Sequence, residues 1–116
     1  MKEIKATIQP HMTEKVIEAL HELQTFPGVT VFKCQGQGRG KGRGGAFVVT
    51  EDEVGFAPKE RLEIVCEDTL AEAIVRLVAE KAHTGNPGDG IITVATVNHH
   101  IRIRTGEGHQ SDTGEK

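Results

Sequence analysis

The chain has 116 residues, enough for one domain with a modest core. A formal net charge of −3 gives no basic bias toward nucleic acid or an anionic membrane, and no apolar run approaches the roughly 20 residues of a membrane span. Trp and Tyr are absent and only four Phe are present, which argues against a single-strand nucleic-acid binder built on aromatic stacking.

In chain order, residues 2–9 alternate, with Ile4, Ala6 and Ile8 on one face, and predict a strand. Pro10 and His11 end it. Thr13 is placed as an N-cap with Glu14 in the first turn, and Met12, Val16, Ala19, Leu20 and Leu23 recur at helical spacing to about residue 25. Pro27-Gly28 is a turn, and residues 29–35 are rich in β-branched and apolar types, which predicts a second strand. Six of the fourteen glycines then fall between Gly36 and Gly45. Residues 46–50 suit a short strand or the stem of a long hairpin. Residues 61–66 predict a third strand, with Leu62, Ile64 and Cys66 on one face. Thr69 and Glu72 fit a capping box ahead of Leu70, Ala73, Ile74, Leu77 and Val78, the clearest helical pattern in the chain. Gly85 is placed to close that helix in a left-handed C′ position. Residues 91–97 show little alternation, so a strand there expects cover on both faces. Residues 99–104 predict a short final strand, and residues 105–116 a flexible polar tail.

The order β-α-β, long loop, β-α-β is the ferredoxin-like βαββαβ pattern. It implies a single α+β domain over residues 1–116, a sandwich of one antiparallel four-stranded sheet with two helices on one face. No helix is left for the other face, which points to a homo-oligomer. The start of the chain shows no signal-peptide pattern, so a cytoplasmic location is expected. Cys34 and Cys66 match no CxxC or zinc spacing and read as two buried, reduced thiols.

Three segments suit an anion. The run G-Q-G-R-G-K-G-R-G-G at 36–45 frees backbone N–H groups to approach a phosphate and adds Arg39, Lys41 and Arg43; a solvated linker is the plainer alternative. T-G-N-P-G-D-G at 84–90 is either a turn or a nest of backbone amides. In I-R-I-R-T-G at 101–106, strand alternation places Arg102 and Arg104 on one face, where an anion would relieve their repulsion; a charge-guarded edge strand is the alternative. His99 and His100 point to opposite strand faces, and His11 and His21 lack i, i+4 spacing, so no metal ligand is assigned. No Ser–His–Asp or paired-carboxylate spacing marks a catalytic residue, and the chain reads as no enzyme.

These words together resemble the PII signal-transduction family, the trimeric ferredoxin-like regulators of nitrogen metabolism. The likeness covers nearly the whole chain: M-K-E-I-K-A, G-Q-G-R-G-K, A-P-K-E-R-L-E-I-V, T-G-N-P-G-D-G-I-I and H-I-R-I-R-T-G-E. The resemblance implies a homotrimer with a T-loop at about 37–57, a B-loop at about 84–91, and ADP, AMP or ATP bound between subunits. It places Gly36, Gln37, Gly38 and Arg39 at the T-loop base against nucleotide, and Glu63, Ile64 and Val65 near the adenine with Thr30. Gly88, Asp89 and Gly90 would wrap the phosphates, with Arg102 and Arg104 reaching them from a neighbouring subunit. Gly40, Lys41, Arg43 and Lys59 fall where the family handles a second ligand and partners. A membrane transporter or metabolic enzyme is the implied partner, and a small molecule the implied effector. No nucleic acid and no membrane insertion are expected, and magnesium is left open.

The chain departs from the family at three points. It has no tyrosine, so the family's T-loop uridylylation has no acceptor. The family's glutamine after G-x-G-R is Gly40, and its lysine after G-D-G is Ile91, which removes two groups used for 2-oxoglutarate. The chain resembles a non-classical member, and divergent relatives connect such chains to inorganic carbon (bicarbonate) or, alternatively, to metal transport.

Overall fold

The computed structural model describes residues 1–37 and 56–110. The strand or stem expected at 46–50, Gly38, Arg39, Gly40, Lys41 and Arg43 of the glycine-rich run, and the end of the tail lie outside these residues.

Strand β1 (Lys2–Ile8) sends Ile4, Ala6 and Ile8 to one side, where each is 0–1% exposed. A 3-10 turn (Pro10–Met12) leads into helix α1 (Thr13–His21). Strands β2 (Thr30–Gly36) and β3 (Ala57–Cys66) follow, then helix α2 (Asp68–Ala82), strand β4 (Gly90–Thr96), and a small hairpin of β5 (His99–Ile101) and β6 (Gly108–Gln110). The main sheet has the order β2-β3-β1-β4, antiparallel throughout. This is the ferredoxin-like arrangement that the element order implies. Opposing pairs share a face, so Ile4 with Ile64 and Ala6 with Leu62 form one apolar floor. Val16 and Leu20 of α1, and Ile74 and Val78 of α2, close over it. Each such side chain contributes about 1.5–3 kcal/mol on burial.

Several boundaries differ from the sequence reading, each for a local reason. Helix α1 stops at His21, where Glu22 N–H donates to the Ala19 carbonyl at 3.1 Å in a tightened last turn, and does not run to residue 25. Thr13 is not an N-cap. The 3-10 turn places it in helical backbone and buries its hydroxyl, and Met12 holds the cap position. Helix α2 starts one residue before the expected capping box, with Glu67 at the N-cap and no side-chain cap. Gly85 is not its C′ residue. The helix ends at Ala82 and His83 is extended, because the Thr84 and Gly85 amides are taken by Asp89. Strand β3 begins at Ala57, four residues earlier than the apolar alternation shows, since its first three residues, Ala57 to Lys59, pair with β2 alone and gain no apolar floor there.

The final segment carries the main correction. Arg102 and Arg104 do not share a strand face. Strand β5 ends at Ile101, and the chain turns: Gly106 N–H donates to the Arg102 carbonyl at 2.8 Å, and Arg102 N–H to the Glu107 carbonyl at 2.7 Å. Gly106 takes φ +76°, a conformation that favours glycine, and the tail expected from residue 105 includes strand β6. Of the two thiols, Cys66 is buried, and burial pushes its pKa up. Cys34 is not buried: it sits half-exposed on the face of the sheet away from the helices.

Candidate functional site

The residues singled out by sequence separate into two clusters at opposite ends of β1. From Lys2 to Ile8 that strand covers about 20 Å.

At the Lys2 end lies a cavity of about 530 Å³. It forms because β2 starts at Thr30, opposite Glu63, so the edge of β3 beyond Glu63 has no β2 residue across from it. The Pro27-Gly28 turn fills the space instead, with Gly28 at φ +94°. Thr30, Glu63, Val65 and Arg102 line the cavity, joined by Phe26 and Leu70. Ile64 does not line it with its side chain, which is 1% exposed in the core, so only its backbone is on offer there. Phe26 is held by the His21 ring, stacked at 4.2 Å between centroids. The cavity therefore combines apolar walls, an open strand edge, the carboxylates of Glu3, Glu63 and Glu67, and the Arg102 guanidinium. That set suits a flat heteroaromatic base carrying a charged group. Phe26 and His100, both lining residues, were missed in the sequence: Pro27-Gly28 signals a turn but not what the turn presents.

At the Ile8 end, Gly36, Lys59, Gly88, Asp89 and Gly90 gather where β4 begins. The Asp89 carboxylate accepts hydrogen bonds from Thr84 N–H (2.8 Å), Gly85 N–H (3.0 Å) and the Thr84 hydroxyl. Asn86 N–H donates to Thr84 Oγ1 at 3.1 Å. The loop is thus latched on itself. Gly88 and Gly90 both have positive φ, +93° and +113°. Glycines at positive φ on both sides of Asp89 are the backbone geometry from which an anion-receiving nest can be built.

The Thr84 hydroxyl, then the Thr84 and Gly85 amides, hold the Asp89 carboxyl down to about 2. Its folded-state pKa is depressed, so the latch contributes fully above the ordinary carboxylate value near 4 and is lost as pH falls toward 2. The Thr84 and Gly85 amide signals are expected to hold through the ordinary carboxylate range near 4 and to move together with a midpoint at about 2. An NMR titration checks this; a midpoint at an ordinary Asp value shows that the latch is not made in solution.

Arg104 lies exposed in the β5–β6 turn and lines neither cluster. Gln37 closes the described part of the loop base. The rest of the glycine-rich run lies outside the described residues.

The family model of nitrogen regulatory protein P-II matches residues 1–107. The chain belongs to the P-II family. The nitrogen regulatory protein P-II of Azospirillum brasilense is 44% identical over 107 residues, 92% of this chain and 95% of that protein. That of Rhodospirillum rubrum is 43% identical with the same coverage, and that of Haemophilus influenzae 39%. The P-II resemblance carried by the sequence motifs therefore stands over nearly the full chain. The P-II name is that of a regulator, and among the described residues no helix is long and apolar enough to cross a membrane.

Proposed function

We propose that this P-II chain is a non-enzymatic regulator that binds ADP, AMP or ATP between copies of itself in a homotrimer. The observation that carries the reading is the separation of the two clusters. The cavity with Arg102 and the loop of Gly88, Asp89 and Gly90 lie about 20 Å apart in one chain. A single small nucleotide can use both only when one copy supplies the cavity and the next supplies the nest. The open sheet face supports the assembly: Phe32 and Ile91 lie on it, 42% and 63% exposed, among the Glu3–Lys5 and Arg61–Glu63 pairs. Ile101 and Ile103 of the hairpin, 53% and 100% exposed, would likewise find cover in a neighbour.

Signal output would run through the T-loop at about 37–57 to a transporter or metabolic enzyme in the cytoplasm. Gly40 and Ile91 leave that output without the glutamine and lysine of classical 2-oxoglutarate sensing, so a different small effector, bicarbonate among them, is the natural candidate. Magnesium would enter only with the nucleotide's phosphates. Among the described residues no group of three or more His, Cys, Asp or Glu side chains could hold a metal, so nothing there favours a metal-responsive reading.

Calorimetry with AMP, ADP and ATP, alongside light scattering for the trimer, tests the proposal. Binding in the micromolar range is expected. Arg102→Ala should weaken every phosphate-bearing nucleotide by about tenfold or more, the worth of a charge-assisted hydrogen bond. Absence of binding below about millimolar would overturn it.

A further inference from the structure

Lys59 makes a contact that the nucleotide reading does not require. It stands on β3 opposite Cys34, on the face away from the helices. Its stem runs over Gly36, whose missing side chain makes the room: a Cβ there would lie 3.3 Å from Lys59 Cγ. Its ammonium then donates to the Gly88 carbonyl at 2.5 Å. Strand β1 separates β3 from β4 in the sheet, so this side chain crosses the end of β1 beside Gln9 to reach a loop 29 residues away. Asp89 closes the loop on itself, and Lys59 ties it to the sheet.

The tie has a directional consequence. In a trans peptide the carbonyl and the following N–H point in opposite directions. With the Gly88 oxygen fixed toward Lys59, the Asp89 N–H is fixed away from it, as a donor. Gly88 at φ +93° has no Cβ to resist rotation of that peptide, so the loop backbone alone does not set which way it faces. We propose that Lys59 is a positioning residue of the nest. In the ligand-free protein it sets the Gly88–Asp89 peptide so that an N–H, not a carbonyl oxygen, faces the phosphate of an incoming nucleotide. This rests on the nucleotide reading above and adds how that site is prepared before the ligand arrives.

The experiment uses the full chain without ligand and then with nucleotide. In Lys59→Gln, the amide signals of Gly88, Asp89 and Gly90 should shift and exchange faster in the empty protein, while the thermal midpoint stays near that of the unsubstituted chain. Affinity should fall about tenfold, by a similar factor for AMP, ADP and ATP, because what is lost is one backbone donor common to all three. Lys59→Arg keeps a donor within reach of the Gly88 carbonyl and should restore both readouts. A direct charge contact predicts otherwise: unmoved amides in the empty protein, and a loss that grows with the charge on the phosphate chain. That outcome overturns the proposal. If the unsubstituted chain binds no nucleotide, the nucleotide reading fails and the positioning role with it. If it binds and the Lys59→Gln loop is unmoved, only the positioning role fails.

Discussion

Replacing Gly90 with Ala is expected to lower the thermal midpoint by roughly 10 to 15 °C, a loss of about 3 kcal/mol for a domain of this size. Gly90 opens β4 opposite Ile8 of β1 and takes φ +113°. A Cβ there would be driven into the Thr7 carbonyl oxygen, with the Thr7 carbonyl carbon at 2.9 Å and Ile8 Cα at 3.2 Å. All three are backbone atoms of a strand paired on both sides, so none can swing aside as a side chain would. Relief requires peeling β4 from β1 at its first pair, which also displaces the 84–89 loop. Urea unfolding of Gly90→Ala beside the unsubstituted protein measures the effect. A change below about 0.5 kcal/mol would mean that β4 does not start where the pairing places it.

Asp89→Ala should do the reverse: little to the fold and much to the site. The thermal midpoint should move by only a few degrees, since the released Thr84 and Gly85 amides lie near the surface and water can satisfy them. Affinity for ADP should fall about a hundredfold, because three hydrogen bonds that shape the nest vanish together. The sign is the discriminating part. Removing a carboxylate beside a phosphate site, judged by charge alone, strengthens anion binding. A net loss therefore reports the latch and not the electrostatics. Asp89→Asn keeps an acceptor oxygen and should fall between the two. Tighter ADP binding in Asp89→Ala would falsify the assignment of residues 84–90 as the phosphate nest.

The two substitutions also separate what is readable in the chain from what is not. The T-G-N-P-G-D-G run is legible as a nest or a turn, because its glycines and its acid are close in sequence and act on each other. The same locality makes Ile4, Ala6 and Ile8 legible as a buried strand face, and Ile74 and Val78 as the inward stripe of a helix. Arg102 and Arg104 show the opposite case. Six residues of alternating type are equally compatible with one strand and with a short strand that runs into a turn. The choice was made by Gly106 and by Gly108, whose Cβ would sit 2.7 Å from the His100 carbonyl oxygen. Those two glycines, spaced G-E-G after Thr105, were the available signal.

The cavity at the Lys2 end had no sequence signature as a unit. Phe26, Thr30, Glu63, Leu70 and Arg102 come from four separate stretches of chain, and the space between them exists because β2 begins at Thr30 and not earlier. Likewise nothing at Lys59 indicates Gly88, since the two meet only once β1 has been laid between β3 and β4.

By itself the sequence determined the two helices and the strands of the main sheet, their inward faces and the P-II resemblance, and it marked residues 84–90 as a candidate nest or turn. All of these depend on spacing within a dozen residues or on motifs carried whole. Only the tertiary structure decided the rest: that Ile64 faces the core while its neighbours face the cavity, that Gly90 has no room for a side chain, that Lys59 reaches the Gly88 carbonyl, and that the two residue clusters lie at opposite ends of one sheet. Each is a consequence of strand order and register, which set distances between residues that the chain itself leaves unrelated.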